Sequence, residues 1–93
     1  MLIQNQLKGN KGMFYVGEES EPLAEMVYTL ESADKMTVHH TEVKDELRGK
    51  NVGFQLVEHA VEYARANHRK IVPLCPFTKS VIDKHKEFQD VLV

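Results

Sequence analysis

Arg48-Gly49-Lys50-Asn51-Val52-Gly53 is the stretch with the most chemical character, because it sets two glycines and two cations directly before an apolar-periodic segment. Glycines let a backbone approach a ligand closely, and the free N–H groups and positive dipole end of a starting helix hold an anion. The chemistry this suggests is phosphate binding by peptide nitrogens. Taken alone, the glycine spacing favours a plainer reading, a turn into a helix with solvated charges around it, and neither GxxxxGK[ST] nor GxGxxG is present. The lone cysteine, Cys75, lies between an apolar run and a second helical segment. A thiolate near a helix start has a lowered pKa and is a nucleophile, yet a free cysteine is commonly a small buried hydrophobe, and position alone leaves both open. His40 and Glu42 are the candidate bases. A strand histidine is more often packed or half-exposed for structural reasons, and a glutamate at a strand end is usually solvated. His39, His40, His85 and Cys75 make no metal set: the adjacent histidines diverge, and there is no CxxC or HxxxH pair.

Short runs of β-branched and aromatic residues, punctuated by turn chemistry, carry the chain to residue 43. Strands are predicted over 2–7, 13–16, 23–30 and 35–41, with Gly9-Asn10-Lys11-Gly12 as a hairpin turn. Short connections imply an antiparallel meander. Strict alternation along the fourth strand would set Val38, His40 and Glu42 on one face and Thr37, His39 and Thr41 on the other. From residue 52 the period changes: Val52, Leu56, Val57, Ala60, Val61 and Ala64 form one stripe of an amphipathic helix that ends near Asn67-His68. Residues 70–75 read as a fifth strand stopped by Pro76, and a second helix is expected from Thr78 to about Lys86.

A strand, a helix and a strand in succession form a right-handed crossover, so the fifth strand should lie parallel to the fourth. Ligands in such units bind outside the carboxyl ends of the parallel strands. The loop 42–53 and Cys75 should therefore share one edge of the sheet.

The 93 residues weigh 10.7 kDa, with 42% hydrophobic and 28% charged, and no linker divides them, so residues 1–93 are read as a single α+β domain. A formal charge of −2 gives no electrostatic footprint for duplex nucleic acid or an anionic membrane. The polar start of the chain and the lack of a long apolar run give an expectation of no signal peptide and no membrane span. With one cysteine fitting a reducing compartment, a cytoplasmic location is expected.

The loop resembles the pyrophosphate loop [RQ]-x-x-G-x-[GA] of the GNAT superfamily of acetyl-CoA-dependent N-acetyltransferases, with Arg48, Asn51 and Val52-Gly53 in its frame. Asn51 stands where the family has glycine. More closely, the chain is similar to small single-domain GNAT-like proteins, the YjdJ-like group. His40-Thr41-Glu42-Val43, Arg48 to Gly53, the Ala60 to His68 helix end, Pro73 to Phe77 and His85 to Asp90 carry that resemblance. It implies a minimal GNAT-like fold: a four-stranded antiparallel meander, a helix, a parallel fifth strand and a second helix. It also implies acetyl-CoA as cosubstrate, with the diphosphate held over 48–53, contacts from Glu42 and Val43 before the loop, and the pantetheine arm between splayed fourth and fifth strands. Cys75 and His40 are the catalytic candidates it carries, with Cys75 near the thioester as nucleophile or contact. The short 9–12 turn leaves no room for the acceptor-pocket helices of larger relatives, so an open site is expected, one that takes a protein or peptide amine, depends on a partner, or has no efficient acceptor. A noncatalytic acyl-CoA-binding or protein-interaction module on the same fold is the alternative.

Overall fold

The computed structural model describes residues 1–93. Four strands, β1 (Gln4–Lys8), β2 (Lys11–Glu18), β3 (Glu21–Ser32) and β4 (Lys35–Val43), form an antiparallel meander. Helix α1 (Val52–Ala66) then crosses over to β5 (Lys70–Pro73), which pairs parallel to β4, and α2 (Pro76–Lys84) follows. The sheet order is β1-β2-β3-β4-β5, with short 3₁₀ turns at Asp45–Leu47 and Lys86–Val91.

Every residue of the apolar stripe on α1 is buried, from Val52 to Ala64. A 15-residue helix is marginal alone in water, so this face is what holds it. It packs on one side of the sheet against Phe14, Met26, Tyr28, Met36 and Val38. The opposite side carries no helix, and Tyr15 there lies outside the main core cluster.

Two local expectations are corrected. The first hairpin turns at Gly9 (φ 62°) and Asn10, whereas Gly12 pairs inside β2 and is glycine because the ring of Tyr28 lies 2.1 Å from where a Cβ would stand. The fifth strand ends at Pro73 rather than Cys75, and Pro76 opens α2 instead of merely stopping a strand. Proline suits a first helical turn, where its missing N–H is no loss.

The alternation along β4 also breaks. Tyr28 pairs with Val38, but its neighbour Val27 pairs with His40, so His39 is an extra residue, a β-bulge. Adjacent residues of β3 face opposite ways, hence Val38 and His40 do as well. Beyond the bulge, Thr41 and Val43 join Val38 on the helix side, and His40 and Glu42 turn to the open side.

The far edge of the sheet is covered by the C-terminal segment. Leu92 bridges to Ile71 in parallel, and the Val93 N–H donates to the Ile71 carbonyl at 3.3 Å. Arg65 holds this segment by a two-pronged bond to Asp90 at 2.7 and 3.0 Å and a further bond to the Glu87 carbonyl.

Candidate active site

At the carboxyl ends of β4 and β5 the chain opens a cavity of about 730 Å³. Val43, Arg48, Gly49, Asn51, Val52 and Gly53 line it, as expected of the loop. Glu42 and Lys50, the other two expected contacts, do not. Thr41, Leu47, Phe54, Phe77 and Val81 complete the wall.

The floor at the start of α1 is bare backbone. The first helical bond runs from the Gln55 N–H to the Asn51 carbonyl, and no side chain caps the helix. The N–H groups of Gly49, Asn51, Val52, Gly53 and Phe54 have no partner within the chain. Such orphan donors are the elements of an anion site, and they lie where the helix dipole is positive. Two residues with positive φ shape the turn, Gly49 at 80° and Asn51 at 61°. Asparagine is the side chain that most readily replaces glycine there, because it tolerates the left-handed region. The cations stand aside from this floor: the Arg48 Nε is held by Asp45 at 2.9 Å, with both side chains well exposed. Gly53 has a different reason for being glycine. A Cβ there would lie 2.8 Å from the ring of Phe77, which reaches across from α2.

Cys75 sits where β4 and β5 part. The last paired residues are Val38 and Pro73, and the Val38 carbonyl then accepts both the Leu74 N–H (3.0 Å) and the Cys75 N–H (3.1 Å). From there β4 runs on while the other chain turns into α2, with Cys75 at the N-cap. The thiol is 4% exposed, and its Sγ lies 3.6 Å from the Thr41 hydroxyl, which lines the cavity. The sulfur is thus directly behind one residue of the cavity wall. Burial pushes the thiol pKa up, but the Thr78 N–H, the Thr41 and Thr78 hydroxyls and the Phe77 N–H favour the thiolate and bring it below the ordinary value.

His40 is not brought to this group. It faces the open side of the sheet, with Nε2 3.9 Å from Glu25 Oε2. Glu42 pairs across the strands with Glu25 on the same side. Sequence reasoning missed Thr41 because the bulge leaves no mark in hydrophobic alternation, and it missed Leu47 because a three-residue turn has no period. Residue type alone gives Phe54 and Phe77 no more than a place in the core or at its rim, and the contact between the two helices is what makes them a wall.

A sequence model of the GCN5-related N-acetyl-transferase family matches residues 13–91. The solution structure of a GCN5-like candidate N-acetyltransferase from Staphylococcus aureus is similar over 97% of this chain and 87% of that one, with 37% identity and a TM-score of 0.75. A GNAT family acetyltransferase from Elizabethkingia anophelis, crystallised with acetyl-CoA, shares the fold at a TM-score of 0.57 and 14% identity, over 69% of this chain and 42% of that one. So does a ribosomal-protein-alanine N-acetyltransferase from Brucella melitensis biovar Abortus 2308, at 0.61 and 14% identity over 92% and 64%. Among curated proteins none matches.

Proposed function

This chain belongs to the GCN5-related N-acetyltransferase family, and from that membership we propose that it is an acetyl-CoA-dependent acyltransferase in which Cys75 takes up the acyl group. The observation that carries the reading is the juxtaposition at one sheet edge: a cradle of unpartnered peptide N–H groups from Gly49 to Phe54, and a thiol with a lowered pKa one residue behind the same cavity.

In this reading the backbone from Gly49 to Phe54 holds the cosubstrate diphosphate, with Arg48 at the cavity wall and Lys50 outside it adding longer-range attraction. The apolar wall of Val43, Leu47, Phe54 and Phe77 excludes water beside the acyl arm. The Cys75 thiolate attacks the acyl carbonyl, forming a new S–C bond as the C–S bond of the donor breaks, and the departing thiolate takes a proton from solvent. A neutral amine then attacks the acyl-cysteine. The C–N bond forms, the Cys75 S–C bond breaks, and the amine's extra proton leaves to solvent. A peptide or protein amine is the acceptor, since no helix lies between β1 and β2 to wall off the site. His40 and Glu42 stand on the side of the sheet without helices, away from the sulfur, and have no part in activating it. The chemistry also matches a cytoplasmic protein, the compartment where a free thiol persists.

The burial of Cys75 favours one competing reading, a noncatalytic acyl-CoA-binding module. A backbone amide titration with acetyl-CoA, followed by mass analysis of the intact protein, separates the two. We expect shifts confined to residues 41–54 and 75–81, acetyl mass on Cys75, and loss of that mass in Cys75→Ala with binding retained. Binding without any acetyl mass on the wild-type chain, and without thiol release from the donor, would assign the module instead.

A further inference from the structure

Thr78 is fully buried, one turn into α2, and its Oγ1 has no hydrogen-bond partner. A hydroxyl in that position costs stability for as long as it is unpaired, and a partner that forms in another state of the site would offset that cost. A group that changes state stands on the same turn: the thiol of Cys75, at the N-cap three residues earlier. The other face of the sulfur already has a hydroxyl, that of Thr41 at 3.6 Å.

We propose that Thr78 is a positioning residue for Cys75: its buried hydroxyl donates to the sulfur once the thiol is ionised, so that two hydroxyls and the start of α2 activate the sulfur where a histidine or lysine would otherwise be used. The charged groups on the surrounding elements are engaged elsewhere. On β4, His40 and Glu42 face the open side; on α2, Lys79 is paired with Asp83 at 3.0 Å. His85, at the end of α2, packs between Phe54 and Phe88. Before α1, Arg48 is paired with Asp45 and Lys50 is exposed; on α1, His59 packs against Phe14, and Glu58 and Glu62 are exposed. Lys70 of β5 bonds the Asp90 carbonyl.

The inference rests on Cys75 being the reacting group, but its test needs no acyl transfer. With one cysteine in the chain, the 13Cβ shift of labelled Cys75 can be followed against pH without any need for reagent access. We expect Thr78→Val to move the titration to higher pH, leaving several-fold less thiolate at neutral pH, and to raise the thermal midpoint, since an orphaned hydroxyl is removed. Thr78→Ser should titrate as the wild type, and Thr78→Ala gives the same reading as the valine variant should the latter not fold. A hydroxyl-free variant titrating as the wild type, or a serine variant shifted as far as the valine one, overturns the proposal. The shift without acetyl mass on wild-type Cys75 keeps the role of Thr78 and removes Cys75 from the reaction. Acetyl mass without the shift does the reverse.

Discussion

Single residues set the electrostatics of this domain through what surrounds them rather than through their type. His59, edge-on to Phe14 with ring centroids 4.9 Å apart, has its pKa lowered from 6.5 by burial. Its folded state resists protonation, so above pH 6.5 it contributes no pH dependence, and as pH falls below that value the unfolded chain binds a proton first. Stability should therefore drop from pH 6.5 down to the folded pKa and level off below it. Urea unfolding at pH 7.5 and pH 5 should show a smaller acid loss in His59→Gln than in the wild type; equal losses would assign the effect to other groups. Residue type alone marked His59 as nothing beyond one of five histidines. Asn51 was more legible, because only a residue tolerant of positive φ can close that turn, and its φ is 61°.

At the scale of elements, the contact between α1 and α2 decides the shape of the cavity. Gly53 should gain about 1 kcal/mol of helix propensity on substitution by alanine, but the new Cβ would lie 2.8 Å from the Phe77 ring. Phe77 is 44% exposed, so its ring can yield, and it does so at the expense of the cavity it lines. Gly53→Ala should accordingly leave unfolding free energy within about 1 kcal/mol of wild type and weaken acetyl-CoA binding in the amide titration. A large loss of stability with unchanged binding would mean that the ring is fixed. The long helix and the parallel pairing of β5 were readable because hydrophobic period and crossover handedness are strong constraints. The end of β5 was not. A strand stop and a helix start share Pro76, and only the helix-start reading places Cys75 at an N-cap.

Across the whole molecule, one layer of two helices covers one side of a five-stranded sheet, and the C-terminal segment closes the β5 edge. That segment is held by Arg65, whose pKa is raised by its hydrogen bond and charge pairing with Asp90. Asp90 is correspondingly held below the usual carboxylate range by the Arg65 hydrogen bond. Since a carboxylate with a lowered pKa stabilises only above its unfolded value, the contribution is present at neutral pH and lost as acid protonates Asp90. Arg65→Ala should accelerate amide exchange at Leu92 and Val93 and leave exchange in β2 and β3 unchanged. Exchange that rises throughout the sheet would show the segment to be part of the global folding unit. Nothing local in the sequence marks Arg65 for this role, because a partner 25 positions away has no local signature.

The extra residue at His39 makes side-chain direction in the last stretch of β4 a question of parity. Pairing the same residues without the bulge would send Thr41 out to solvent and turn the carboxylate of Glu42 toward the sulfur, whereas deleting His39 would leave Thr41 opposite Met26. Spacing along this segment therefore constrains the site as much as identity does, and an alignment that carries the extra residue past Thr41 would equate residues from opposite sides of the protein.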